Sequence, residues 1–240
     1  MGRYAQSDGA CRGQYKRKTV GLFPIVTFMP RSDILMVLGG EPPGDEILKW
    51  YIEESDLTIA VDSGWLAFRH AGVFPNILIG DMDSWTGVKA EVPDDVEFIE
   101  DKDQNSTDFQ KALGLMDSRD VAVNKLVILG GLGNRTDHLL GNLIHIGTIP
   151  QAIEVIIDSS KEWVCRVTVD TPLIIKGQEG ATISLLPRDS CLGVSSTGLK
   201  WEINEVDFSF VGKVSQSNLC ASNEVKISVQ SGNLLVFLQK

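Results

Sequence analysis

The chain has 240 residues and a formal charge of −10, from 32 acidic against 22 basic side chains, and 43% of it is hydrophobic. That length allows one large domain or two modest ones with a real core. The acidic balance argues against nucleic-acid binding, which relies on Lys and Arg to neutralise phosphates. It leaves room for a phosphate-bearing substrate, because a divalent metal reconciles carboxylates with a polyphosphate. Cys11, Cys165, Cys191 and Cys220 are scattered without a C-x-x-C pair. Free thiols and a cytoplasmic location are therefore expected. No apolar run approaches the roughly 20 residues that span a bilayer, so no membrane partner is expected.

Residues 1–32 form a basic extension carrying Arg3, Arg12, Lys16, Arg17 and Lys18. It is read as a disordered tail or an over-long start in preference to an organelle-targeting leader. Over residues 33–160 short apolar runs alternate with amphipathic stretches. Ile34–Leu38 ends in Gly39-Gly40, Leu57–Val61 in Asp62, Ile77–Ile79 in Gly80-Asp81, and Leu126–Leu129 in Gly130-Gly131. Ile47, Leu48, Tyr51 and Ile52 lie at helical spacing between the first two. Near-continuous apolar strands separated by helices predict an α/β domain with a mainly parallel sheet. Over residues 161–240 helical periodicity gives way to short β-rich runs, among them 181–186 and 206–211. The runs 225–229 and 234–238 flank Ser231-Gly232-Asn233 and are read as a hairpin. An all-β sandwich domain is expected there.

Ligands of a parallel α/β sheet collect at the carboxyl ends of its strands, and the polar residues of this chain cluster at those places. Asp81 and Asp83, one residue apart beside Gly80, suit a hard cation that takes carboxylate oxygens, though Gly-Asp and Asp-Ser are also ordinary turn residues. Thr107-Asp108-Phe109-Gln110 reads as a capping box opening a helix through Leu113 and Met116. A capped helix start is also a rigid platform for ligands. The loop Gly130 to His138 lacks a third glycine for a dinucleotide fingerprint, and no G-x-x-x-x-G-K-[ST] occurs. It offers Arg135, whose donor fork suits phosphate, and Asp137, which could orient Arg135 or cap the following helix. His138 is read first as a polar residue of that helix start.

Taken in order, several segments together resemble the thiamine pyrophosphokinase family. They are Val61-Asp62-Ser63-Gly64, Gly80 to Ser84, Asp103 to Phe109 with Lys111-Ala112-Leu113, Gly130 to His138, Thr197 to Trp201, and Val214 to Asn218. The resemblance runs from about Leu35 to the C-terminus. It implies an α/β domain that binds ATP and Mg²⁺, a β-sandwich that helps to bind thiamine, and a homodimer with thiamine held between subunits. Carried over by position, Asp81, Asp83 and Asp108 would surround the metal and the phosphates and, with Arg135, carry the catalysis. Asp62, Gln104, Thr107, Arg135, Asp137 and His138 would hold the nucleotide. Trp201 would present an aromatic face to the thiamine cation, with Ser217 and Asn218 beside it. Ser63 and Asn134 stand where family members usually carry Gly.

The implied reaction transfers a diphosphate from ATP to the thiamine hydroxyl, giving thiamine diphosphate and AMP. Its rivals are a related pterin-alcohol diphosphokinase, a metal-dependent hydrolase of nucleotides or thiamine diphosphate, and a non-catalytic sensor of the same ligands.

Overall fold

The structure is a computed structural model that describes residues 32–82, 91–119, 122–133 and 135–240. The extension up to residue 31, Cys11, Asp83 and Asn134 therefore lie outside the described residues. The apolar runs of the first half become β1 (Ser32–Val37), β2 (Leu57–Val61), β3 (Ile77–Gly80), β5 (Val123–Leu129) and β6 (Glu154–Asp158), with β4 (Glu97–Glu100) as the edge strand. They pair in parallel in the order β6-β5-β1-β2-β3-β4. Such strands need cover on both faces, which is why they read as unbroken apolar runs. Along β1, side chains alternate between two cores. Ile34 and Met36 join Ile59 and Ile128 under α3 (Asp108–Ser118) and α4 (Thr136–His145). Leu35 and Val37 join Tyr51, Trp65 and Phe68 of α1 (Asp45–Glu54) and α2 (Trp65–Ala71) on the other face.

β7 (Glu162–Val167) turns back antiparallel on β6, with Asp158 opposite Trp163. The sheet continues through β14 (Leu234–Gln239), β9 (Thr182–Pro187) and β12 (Ser215–Leu219), making ten strands in one ladder. The expected division between residues 160 and 161 falls in the β6–β7 turn, and the hydrogen-bonded sheet runs on across it. A second sheet, ordered β11 (Val206–Phe208), β10 (Cys191–Thr197), β13 (Glu224–Ser228) and β8 (Leu173–Lys176), packs on the antiparallel half. Val167, Ile183, Leu185 and Val236 meet Val194, Phe208, Val225 and Ile227 between the layers. The architecture is thus a mainly parallel α/β unit followed by a β-sandwich.

The expected hairpin over 225–238 does not form. β13 pairs with β10 and β8, whereas β14 pairs with β7 and β9 in the opposite sheet. The connection is a crossover, with Gly232 at φ +95°. It is held by Asp189, whose carboxylate accepts from Asn233 N at 2.7 Å and Asn233 Nδ2 at 2.8 Å. Turn residues between two apolar runs specify a reversal, and only the sandwich decides which neighbour each strand finds. The run expected over 206–211 stops at Phe208; Phe210 and Val211 are 81% and 96% exposed.

Arg166 of β7 fixes the chain that leaves α4. Its guanidinium is buried and donates to the carbonyls of Ile146, Ile149, Pro150 and Ile153. Cys165, Cys191 and Cys220 are free thiols. No helix among the described residues is long and apolar enough to cross a membrane.

Gly64 opens the turn into α2 directly against β1. A Cβ placed on it would sit 2.0 Å from Val37 O, a backbone atom that cannot step aside. Gly64→Ala is expected to destabilise the fold by about 3 kcal/mol, through overpacking against a fixed strand. Urea unfolding would measure this as a lowered midpoint at unchanged slope.

Candidate active site

The parallel strands deliver their C-terminal ends to one edge of the sheet. Gly39-Gly40 after β1, Asp62-Ser63 after β2, Asp81 after β3 and the glycine loop after β5 meet there. With the first turns of α3 and α4 they line a cleft of about 690 Å³. The walls depend on backbones touching without side chains between them. Gly40 N donates to Gly130 O at 2.9 Å, and a Cβ on Gly40 would lie 2.3 Å from that oxygen. Gly130 itself has φ +64°, which glycine adopts without strain. Ser63 fits because its hydroxyl faces Gly39, where a Cβ would come within 1.9 Å of it. Asp62 is 9% exposed and takes a left-handed φ of +46°. That conformation is one Asp tolerates better than most residues.

The acidic wall comes from two segments far apart in sequence. Asp81 N donates to Asp108 Oδ1 at 3.2 Å, so the end of β3 and the start of α3 are joined directly. Gln104 Nε2 reaches Asp81 Oδ2 at 3.2 Å. The capping box forms as the sequence predicts: Thr107 Oγ1 accepts from Gln110 N at 3.2 Å and Thr107 N donates to Gln110 Oε1 at 2.9 Å. Asp103 shapes the preceding loop by accepting from Asn105 N, Asn105 Nδ2 and Ser106 Oγ. Those hydrogen bonds hold its carboxyl below the ordinary value.

Lys111, which the sequence reading passed over except as part of a matching segment, lies behind these carboxylates. Its side chain is 2% exposed. Nζ donates to Asp108 Oδ1 at 3.0 Å and to Asp101 O at 3.0 Å, and lies 4.0 Å from Asp81 Oδ2. Burial alone would lower its pKa, but the hydrogen bond and charge of Asp108, with the charges of Asp81 and Asp101, leave it above the ordinary lysine value. The available signal was the Asp108–Lys111 spacing, which places both on one helix face.

Arg135, which lines the same cleft, is the N-cap residue of α4. It grips Asp137 with two prongs, Nε to Oδ1 at 3.1 Å and Nη2 to Oδ2 at 2.6 Å. Asp137 thus orients Arg135, and its carboxylate also accepts from the backbone N–H groups of Asp137 and His138 at the start of α4. The hydrogen bonds from Arg135, aided by its charge, hold the Asp137 carboxyl down at about 2. His138 is exposed on the cleft rim. Asn142 and His145, one and two turns further on, also face the cleft and were missed by the sequence reading. Asn142 Nδ2 holds Gly131 O at 2.9 Å. Burial, and then the charge of Arg188, push His145 below the ordinary histidine value. Their i, i+4, i+7 spacing from His138 was the legible clue.

Trp201, Ser217 and Asn218 form a separate group on the sandwich and are not among the described residues lining the cleft. Trp201 is 55% exposed, with Lys200 Nζ 4.7 Å from its ring centre. Asn218 is 1% exposed: it accepts from Trp201 N at 3.1 Å and donates to Trp201 O at 2.8 Å. It therefore fixes the tryptophan backbone from beneath. Ser217 is exposed at φ +57°, and its N–H donates to Ser184 Oγ.

The donors fit a hard divalent cation in kind. Asp81 and Asp108 offer carboxylate oxygens on one wall of the cleft, with side chains 14% and 28% exposed. That suits a metal which keeps most of its shell for water and phosphate. Among the described residues no group of three or more His, Cys, Asp or Glu is placed to hold a metal by itself.

Comparison with known proteins bears on the same two regions. The catalytic-domain family model of thiamin pyrophosphokinase matches residues 48–157, and that family's vitamin B1 binding domain model matches residues 166–234. Thiamine pyrophosphokinase 3 of Oryza sativa subsp. japonica is 26% identical over 176 residues, covering 68% of this chain and 65% of that protein. Thiamine pyrophosphokinase 1 of the same organism is 26% identical over 172 residues, covering 65% and 63%. The chain thus spans just under two thirds of the length of these rice relatives. Thiamine pyrophosphokinase of Bacillus subtilis (strain 168) is 27% identical over 200 residues, covering 80% of this chain and 89% of that one. In fold, the crystal structure of the Bacillus subtilis enzyme superposes with a TM-score of 0.73 at 23% identity, covering 87% of this chain and 99% of the other. The yeast structure gives 0.69 at 17% identity, covering 88% and 87%. With both of its domain models matched in order along the sequence, the chain belongs to the thiamine pyrophosphokinase family.

Proposed function

We propose that this protein is a thiamine diphosphokinase, moving a diphosphate from ATP to the hydroxyl of thiamine. The observation that carries the reading is the cleft at the strand ends, whose lining brings Asp81, Asp108 and Arg135 together with Gly39, Gly40, Gly130, Gly131 and Gly133. In this reading residues 33–160 hold the nucleotide and residues 161–240 contribute the thiamine site. The protein works in the cytoplasm as a homodimer, which would bring Trp201, Ser217 and Asn218 of one protomer to the cleft of its partner.

The thiamine oxygen attacks the β-phosphorus of ATP, the bond from that phosphorus to the α-β bridging oxygen breaks, and AMP leaves carrying that oxygen. Catalysis of such a transfer is mainly positioning and charge neutralisation. Arg135, pre-oriented by Asp137, offers a fixed donor fork to the phosphate oxygens. Asp62, Gln104, Thr107 and His138 hold the nucleotide around it. Asp81 and Asp108, together with Asp83, would hold Mg²⁺, which when bound supplies positive charge to the phosphates. One of these carboxylates takes the proton of the attacking hydroxyl. Trp201 stacks on the cationic thiamine ring, its backbone pinned by Asn218.

Purified protein incubated with thiamine, ATP and Mg²⁺ should yield thiamine diphosphate and AMP in equal amounts, and a chelator should abolish both. ATP consumed with release of phosphate or diphosphate and no thiamine product would move the assignment to a hydrolase. A product formed only from a pterin alcohol would move it to the related diphosphokinase. Arg135→Lys keeps the charge but loses the fork, and is expected to lower kcat by about 100-fold with the KM for thiamine unchanged. Trp201→Ala should act on the other substrate, raising the KM for thiamine by about tenfold while the KM for ATP stays put. Steady-state kinetics with each substrate varied in turn separates the two effects.

A further inference from the structure

Acidic sites that bind metal–phosphate complexes face an electrostatic difficulty: carboxylates close together repel one another and bind stray cations. In this chain the cluster contains a cation of its own. Lys111 is buried to 2% exposure, yet its ammonium is directed at the two carboxylates on the acidic wall of the cleft. Asp108 Oδ1 accepts from both Lys111 Nζ and Asp81 N, at 3.0 and 3.2 Å. Two donors occupy both lone pairs of that oxygen. What Asp108 can offer a ligand is its other oxygen, in a fixed direction. The same ammonium also holds Asp101 O at 3.0 Å. One charge thereby joins the end of β3, the loop before α3 and the first turn of α3. A surface lysine would be screened by water and salt, whereas a buried one acts at nearly full strength on its neighbours.

We propose that Lys111 is a positioning residue and the resident cation of the acidic site, saturating one oxygen of Asp108 and weakening the hold of the nucleotide-free cleft on a divalent cation. The metal is then taken up with the triphosphate, whose own charge outweighs the ammonium, and not ahead of it. The inference rests on the metal-assisted diphosphate transfer argued above. The local charge balance supports it: the strength of an oxygen-ligand site depends on how many uncompensated negative ligands it presents.

The test is Mn²⁺ binding to the thiamine-free protein, followed by electron paramagnetic resonance, with and without an ATP analogue carrying a methylene between the α- and β-phosphorus. Wild type should bind Mn²⁺ weakly alone and at least about tenfold more tightly with the analogue. Lys111→Met and Lys111→Gln should both bind Mn²⁺ alone at least about tenfold more tightly than wild type, and kcat should fall in Lys111→Met, which leaves Asp108 Oδ1 without its side-chain donor. Gln keeps a donor without the charge, so a change in both variants assigns the effect to charge. Affinity that is unchanged or weaker in either folded variant overturns the proposal. If neither variant folds, as thermal unfolding would reveal, the wild type decides. Mn²⁺ bound by the free protein as tightly as with the analogue overturns the proposal. Failure of the parent reading shows separately, as absence of thiamine diphosphate in the wild-type assay, which the Mn²⁺ measurement does not involve.

Discussion

The arrangement depends on a place where three strands end with nothing between their backbones. Gly40 lies against Gly130 O and Leu132 O, Gly130 against Leu38 O, and Gly64 against Val37 O, each closer than a Cβ would allow. Residues with side chains here would spread the ends of β1, β2 and β5. The loops would separate, and the acidic wall would move away from Arg135. The glycines cost conformational entropy on folding, and what offsets that cost is the set of hydrogen bonds the close approach permits. Leu38 N, Gly40 N and Glu41 N all donate across this seam, at 2.8 to 2.9 Å.

Two buried cations are handled in contrasting ways. Arg166 lies among four carbonyls, and burial alone lowers its pKa to about 10. A delocalised guanidinium tolerates this, because its fan of donors can satisfy several oxygens at once. Its position joins the exit of α4 to β7, and so ties the helix that carries Arg135 to the sandwich strands. Lys111 is a point charge and is matched by carboxylates instead. Removing one partner from either arrangement leaves a buried group uncompensated, a far larger loss than breaking a surface pair. The exposed pairs, such as Arg69 with Glu91 and Lys176 with Glu224, sit where water weakens them and contribute little.

The single ten-stranded ladder gives the two polar groups a common frame. The cleft lies at the parallel end and Trp201 at the sandwich, with no flexible linker between β6 and β7 to let them drift. Asn218 adds local precision, since its side-chain oxygen and amide both engage the Trp201 backbone and also tie in Leu219 N and Ser215 Oγ. Within one protomer, Trp201 is absent from the described lining of the cleft. In the homodimer proposed above, both groups would face the same pair of substrates.

Much of this was legible from residues alone. Unbroken apolar runs ending in Gly or Asp located the parallel strands and their ligand-bearing ends, because a strand covered on both faces can carry polar residues only where it emerges. Thr107 and Gln110 announced the start of α3, because capping is decided within four residues. The contact of Asp137 with Arg135, one of two roles the sequence leaves open to it, forms for the same reason of closeness. The seven-residue helix α2 and the edge strand β4 were not legible, being too short for periodicity to register. Nor was Lys111, whose importance arises only when β3 and α3 meet. The hairpin read into residues 225–238 shows the same boundary from the other side. Sequence by itself determined which segments were strands, where they stopped and which polar residues stood at those ends, since these follow from local sterics and from burial along one strand. Tertiary structure alone decided which strand lies beside which, and which distant charges share a buried space, because pairing and desolvation belong to the packed whole and to no window of the chain.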